Sequence, residues 1–379
     1  MPPELPEPPS YFLTKLLALQ RHVRQAVSAG RRSGVEAAAS EVVREGAVEG
    51  EHTVDTIYRI DVRSEATLLE FCAEWARERE RPFVLVAEGL PGAGRQVFPT
   101  TADPADATFE CIVDPIDGTR LLMYDKRSAW VLAAVAPGQA ILGRPPTMHD
   151  LAVAVQSELP TSRARLADTL WAVSGGGAAG ETLDLTTGVT TPVRFAPSRA
   201  PTLAHGFATI SKFFPGTREA VAWLEERLFA EVVGEHAGGA PLVFDDQYVS
   251  SGGQLYELMM GHDRFTADLR PVLMPITALP GSDGSPARPV AGVSGASGRR
   301  RLCARPYDLC TALIAREAGV HVTDEWGQPL AAPLDAVADV SWVGYANEGL
   351  RRTVEPVLQR LLRDLGVTPP PESRVASRE

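Results

Sequence analysis

Cysteine is scarce in this chain: Cys72, Cys111, Cys303 and Cys310 are all it has in 379 residues. Their spacings match neither a disulfide framework nor a paired zinc-ligand motif. The seven histidines show no ligand spacing either, so the thiols are expected reduced, in a cytoplasmic protein. Positive charge is also short, with 37 Lys and Arg against 48 Asp and Glu and a formal net charge of -11. A surface of that sign repels phosphate backbones and anionic lipid, which argues against nucleic acid and membrane as partners. No run of 18 apolar residues occurs, which removes the usual signature of a spanning helix. The opening MPPELPEPPS lacks the basic start and apolar core of a signal peptide. No repeat at a fixed period is present.

What is present suits a globular protein: 44% of residues are hydrophobic, and the length exceeds a single ordinary core. The expected class is α/β: an α+β lobe with a mostly antiparallel sheet over residues 11–198, then an α/β lobe over 199–379. Residues 1–10 are expected to be disordered, and the Gly/Pro/Ser-rich stretch 279–299 to form a long loop insertion. The spacing in YFLTKLLALQRHVRQAVSA predicts an amphipathic helix, followed by a second over 34–45. Residues 57–62 alternate like a strand and 66–80 return to helical spacing, with Asp61 at the junction. PFVLVAEGL and TFECIVDPIDG read as strands ending at Glu88 and Asp114.

The segment CIVDPIDGTR, Cys111 to Arg120, carries the chemistry. Pro115 disfavours a continuing central strand and Asp-Gly favours a turn. Asp114 and Asp117 therefore crowd one turn, where they repel each other unless a cation compensates them. With oxygen ligands and no histidine or thiolate at hand, Mg²⁺ or Mn²⁺ is the expected cation. Gly118 and Thr119 would then offer backbone N–H groups to an anion. A turn with two solvated acids is the plainer alternative.

DPIDGT after an apolar strand resembles the first signature of the inositol monophosphatase-like family of Mg²⁺-dependent, lithium-sensitive phosphatases. RPYDLCTALIAREAGVHVTDEWGQPL, Arg305 to Leu330, is similar to that family's second signature, nearly two hundred residues later. The resemblance takes in Asp61 and Glu88 and spans residues 17–365. It implies a layered αβαβα sugar-phosphatase fold and two or three Mg²⁺ ions. The ligands would be Glu88, Asp114, the carbonyl of Ile116, Asp117 and Asp308, with Asp61 and Thr119 orienting and activating the attacking water. Gly118, Thr119, Arg120, Ser250, Ser251 and Asp308 would face a small phosphorylated substrate, and a homodimer is possible. Gly89 stands where the family has a second glutamate, Tyr307 replaces its tryptophan, and RLLMYDKRSAW replaces the family's usual continuation after DPIDGT.

Arg120, Lys126 and Arg127 could meet a second anionic group of the substrate or could form a solvated face. Ser211 and Lys212 could reach it from the second lobe, a surface lysine being the safer default, and Asp245 and Asp246 read as loop or cap acids. Glu65 reads as a structural helix acid. The leading expectation is a metal-dependent phosphomonoesterase for a small phosphorylated polyol, sugar or nucleotide. A phosphatase for bisphosphorylated compounds and a catalytically silent phosphate binder are the alternatives.

Overall fold

The structure, a computed structural model, describes residues 4–32, 42–44, 57–79, 81–234, 242–280, 288–290 and 303–369. Two helices open it, Pro9–Arg32 and Arg59–Arg79. In the first, Phe12, Leu16, Leu19, Val23 and Val27 recur at three- and four-residue spacing, and all are buried. Leu5 also packs against this core, so the irregular start is not loose throughout. Within the stretch expected as a second helix, Val42–Arg44 is instead a strand, β1, paired antiparallel with β2, Ile57–Tyr58; the remainder of that stretch lies outside the described residues. Helix begins at Arg59, earlier than the alternation suggested, and so includes Asp61.

The first sheet has eight strands: β3 (Phe83–Ala87), β4 (Arg95–Phe98), β5 (Phe109–Asp117), β6 (Ala129–Pro137), β7 (Val153–Leu159), β8 (Leu166–Val173), β9 (Ala178–Asp184) and β10 (Thr190–Pro192). Their order is β10-β9-β8-β7-β6-β5-β3-β4, antiparallel except for the parallel pair β3 and β5. Both faces are covered in the middle of the sheet. In β6, Ala129, Val131, Ala133 and Val135 face the core under the opening helices. Trp130, Leu132, Ala134 and Ala136 face the opposite core, as the two-residue period of a strand requires.

The second sheet comprises β11 (Gly206–Ile210), β12 (Val243–Phe244), β13 (Asp263–Asp268), β16 (His321–Thr323) and β17 (Trp342–Tyr345), in the order β12-β11-β13-β17-β16. β11 runs parallel to β12 and β13, and β17 is antiparallel to both neighbours. Between them in sequence, β14 (Ala278–Leu279) and β15 (Arg288–Pro289) pair, so the Gly/Pro/Ser-rich insertion contains a short ladder. The stretch after His321 makes no hairpin with itself; its strand pairs with β17 instead.

Helices Ser251–Met260 and Ala312–Glu317 lie between the sheets, touching β6 and β13 in one case and β7 and β16 in the other. Helices Arg218–Val233 and Glu348–Asp364 cover the far side of the second sheet. The last helix starts with Asn347 accepting the N–H of Leu350 at 3.0 Å, and buries Leu350, Val354, Leu358 and Leu361. Each such leucine contributes about 2 kcal/mol of burial. The layers thus run helix, sheet, helix, sheet, helix. Among the described residues no helix is long and apolar enough to cross a membrane.

Candidate metal and phosphate site

The site gathers where parallel strands end. Ala87 of β3 is level with Val113 of β5, so the next residues, Glu88 and Asp114, emerge side by side. Gly89 then turns the chain at φ +80°, a backbone region that a second glutamate would enter only with strain.

Three residues apart on a regular strand, Asp114 and Asp117 would point to opposite faces. A bulge prevents this: Asp114 pairs with Leu132 and Asp117 with Trp130, so β5 advances three residues while β6 advances two. Pro115 occupies the bulge, and Asp114 Oδ1 accepts the N–H of Ile116 at 2.9 Å. Asp308 arrives from the turn Tyr307–Leu309, where its carboxylate accepts the N–H of Arg305 at 2.6 Å. It is thus inside its short turn rather than at its N-cap. Oxygen atoms of Asp114, Asp117 and Asp308 all lie within 4.8 Å of one another.

Asp117 also meets the helix Ser251–Met260. Its Oδ2 accepts the Ser250 hydroxyl at 2.8 Å and the N–H of Gly252 at 2.6 Å, while Ser250 Oγ caps the helix by accepting the N–H of Gly253 at 2.9 Å. Glycine lets the helix approach closely here. A Cβ on Gly252 would fall 2.5 Å from Leu132, and one on Gly253 would fall 2.4 Å from the Tyr248 ring. Small-residue packing and closeness to the site are therefore the same fact.

Burial holds the Asp114 carboxyl well above the usual carboxylate range, and the charges of Asp117, Asp308 and Glu88 add to that. Burial pushes Asp117 up to about 6, against the hydrogen bonds from Ser250, Gly252 and Ser251. Such a cluster takes up either protons or a cation. An all-oxygen set of this charge fits a hard divalent ion, Mg²⁺ or Mn²⁺, so the residues present suit the group expected from the sequence.

One cavity is lined by Glu88, Asp114, Ile116, Asp117, Gly118, Thr119, Arg120, Ser250, Ser251 and Asp308, whereas Lys126, Arg127, Ser211 and Lys212 do not line it. The Asp61 side chain lies outside the described residues. Thr119 Oγ1 donates to the Ile116 carbonyl at 2.9 Å, and Gly118 turns at φ +91°.

Three basic residues weighed as anion contacts go elsewhere. Arg127 binds Asp246 at 2.8 Å and Glu257 while lying 3.7 Å over the Tyr248 ring. Lys212 is held by Glu225 at 2.5 Å and Asp245 at 2.8 Å. Lys126 is exposed and does not line the cavity. Sequence reasoning missed Phe213, Phe214 and Arg270, which do line it. The available signal was the end of a strand: β11 leads into the two phenylalanines and β13 into Arg270, and open α/β sheets place ligands beyond the carboxyl ends of parallel strands.

No family model matches the chain, and no curated protein matches it by sequence. Solved structures do match in shape. Extragenic suppressor protein SuhB from Bartonella henselae is 16% identical, with a TM-score of 0.56 over 92% of this chain and 99% of that one. Leishmania major fructose-1,6-bisphosphatase is 14% identical, with a TM-score of 0.58 over 94% and 96%. An IMPase from Thermotoga maritima is 15% identical, with a TM-score of 0.54 over 93% and 99%. The chain has the fold of the inositol monophosphatase and fructose bisphosphatase superfamily.

Proposed function

We propose that this protein is a divalent-cation-dependent phosphomonoesterase for a small phosphorylated polyol, sugar or nucleotide. The observation that carries the reading is the convergence of Asp114, Asp117 and Asp308 in the wall of a cavity that Gly118, Thr119 and Arg120 also line. The names of the similar structures, a fructose-1,6-bisphosphatase and an IMPase among them, support it.

Glu88, Asp114, the Ile116 carbonyl, Asp117 and Asp308 would hold Mg²⁺ or Mn²⁺. Bound there, such a cation would supply Lewis-acid polarisation of phosphoryl oxygens and charge compensation at the leaving oxygen. The backbone N–H groups of Gly118 and Thr119 orient the phosphate. Water attacks phosphorus, the bond from phosphorus to the ester oxygen breaks, and the leaving oxygen takes up a proton from solvent to depart as the alcohol, in net the proton that the attacking water gives up. Asp61 accepts a proton from that water, and Thr119 helps to place it. Ser250 acts on Asp117 rather than on the substrate, since its hydroxyl is already given to that carboxylate. Positioning and charge neutralisation supply most of the rate in such a transfer. We also read the chain as two fused lobes, 11–198 and 199–379, of a cytoplasmic protein able to form a homodimer.

The test is phosphate release from a panel of phosphomonoesters with Mg²⁺, with chelator and with lithium, and with Asp114→Asn as control. Release by the wild type that depends on Mg²⁺ and is absent in the variant supports the reading. Equal release by both proteins on every ester overturns it, and Mg²⁺ binding without turnover would favour the silent-binder alternative.

A further inference from the structure

Gln156 carries an amide into an apolar row. Cross-strand pairing sets Asp114 of β5, Leu132 of β6, Gln156 of β7 and Leu170 of β8 side by side, and Leu132, Gln156 and Leu170 are all fully buried. Like Ala154 two residues earlier, Gln156 faces the layer between the sheets, where the helices Ser251–Met260 and Ala312–Glu317 meet. An amide in such a place costs stability unless both its ends are bonded. Both are: Nε2 donates to the Gly252 carbonyl at 2.8 Å, and Oε1 accepts the Thr311 hydroxyl at 2.9 Å. A carbonyl can only accept, so the amide nitrogen must be the end that faces Gly252.

These two partners belong to the segments that bring Asp117 and Asp308 together. Gly252 gives its own N–H to Asp117 Oδ2 at 2.6 Å, so one residue in the first turn of its helix links that carboxylate to Gln156. Thr311 follows Asp308 by three residues and stands at the N-cap of Ala312–Glu317. Threonine at that position ordinarily caps the helix with its side chain. Here it makes no such cap, and its hydroxyl goes to Gln156 instead. The bridge therefore runs from Asp117 through Gly252, Gln156 and Thr311 to the turn that holds Asp308, while Gln156 itself does not line the cavity. Its neutrality matters, because a charged side chain in its place would add to carboxylates that already repel one another.

We propose that Gln156 is a positioning residue: it sets the spacing of Asp117 and Asp308, and through that spacing the affinity of the site for a divalent cation. This role rests on the cation site of the phosphatase reading above and deepens it. Gln156 touches neither substrate nor cation. It acts by holding the starts of two helices at a fixed distance from β7, one through a backbone carbonyl and the other through a hydroxyl. A hard ion such as Mg²⁺ tolerates little departure from its preferred ligand geometry. A small shift of either helix start is therefore enough to weaken binding.

The experiment measures Mg²⁺ affinity by calorimetry beside urea unfolding in chelator, for wild type, Gln156→Leu, Thr311→Val, Thr311→Ser and the double variant Gln156→Leu with Thr311→Val. Val354→Ala, in the last helix on the far side of the second sheet, is the control for lost stability alone. Gln156→Leu and Thr311→Val should each weaken Mg²⁺ binding about tenfold, a usual loss when a group behind a metal ligand is removed. Thr311→Ser keeps the hydroxyl and should bind as wild type does. The double variant removes both members of a buried hydrogen bond and orphans neither, so it should regain much of the stability lost in Gln156→Leu. It should still bind Mg²⁺ weakly. A purely structural role would instead return affinity together with stability, or lower affinity in Val354→Ala as well, and either result overturns the positioning role. Phosphate release is scored separately. Wild type that binds Mg²⁺ and cleaves no ester ends the phosphatase reading and leaves the affinities to judge Gln156, whereas wild type that binds no Mg²⁺ overturns the positioning role along with the cation site.

Discussion

The carboxylate of Asp117 accepts the hydroxyl of Ser250 at 2.8 Å across 133 residues of sequence, tying the end of β5 to the start of the helix Ser251–Met260. That hydrogen bond joins the first sheet to the layer between the sheets. The same serine caps the helix through Gly253, so one hydroxyl serves both packing and site.

Replacing that hydroxyl should therefore be felt twice. Ser250→Ala removes a cap and a buried hydrogen bond to a carboxylate, a loss of about 2 kcal/mol. Urea unfolding should show a lower midpoint. Because the Ser250 hydrogen bond lowers the pKa of Asp117, the variant should also need higher pH before its site binds Mg²⁺. Unchanged stability and unchanged pH dependence together would contradict the tie.

Metal-free protein should lose stability as pH rises from about 4 to about 6. Burial raises Asp117 to about 6 and raises Asp114 well above the usual carboxylate range, so the folded chain keeps protons that the unfolded chain has released. Unfolding is then favoured with rising pH through that window, by about 3 kcal/mol for Asp117 alone. In chelator, the unfolding midpoint should be higher at pH 5 than at pH 7. Adding Mg²⁺ should restore stability at pH 7 and do little at pH 5. A midpoint indifferent to Mg²⁺ at both values would refute the cation site.

Asp114→Asn should separate folding from activity. It removes one charge from a buried cluster that includes Asp117, Asp308 and Glu88. Chelated variant should unfold later than chelated wild type at pH 7, yet gain little from Mg²⁺ and release phosphate at least a thousandfold more slowly, a loss of about 4 kcal/mol of transition-state stabilisation. A variant less stable than wild type in chelator would show that the cluster is not strained by its own charge.

Gly252→Ala tests the close approach of the helix. The added Cβ would fall 2.5 Å from Leu132 and 3.0 Å from the Asp117 carboxylate. Overpacking of this kind costs about 1 to 3 kcal/mol. Thermal unfolding should register it, with weaker Mg²⁺ binding as Asp117 is displaced. A Tm and an Mg²⁺ affinity both equal to wild type would show that the helix can retreat freely.

Much of this was legible in the residues. Buried positions in Pro9–Arg32 and Glu348–Asp364 follow helical spacing, and the alternation in β6 follows the strand period. Asp114 and Asp117 stand out in the residues as two acids crowding one turn at the end of an apolar run, whereas Glu88 and Asp308 enter the expected ligand set only through the resemblance to the two family signatures. The stretch containing Val42–Arg44 misled because a three-residue strand is too short to show a period, and its pairing with Ile57 and Tyr58 is not encoded locally.

The sequence by itself determined the chemistry available, hard oxygen donors beside a turn rich in backbone N–H groups, together with which faces would be apolar. Local patterning and side-chain type are enough for that. Tertiary structure decided which residues share the cavity. The bulge in β5 turns Asp117 to the side of Asp114, the register of β3 against β5 sets Glu88 beside them, and Asp246, Glu257, Glu225 and Asp245 take Arg127 and Lys212 out of use. Arg270 lines the cavity because β13 ends beside it. These choices depend on strand pairing and ion pairing between distant segments, whose energies exist only once the two sheets have packed.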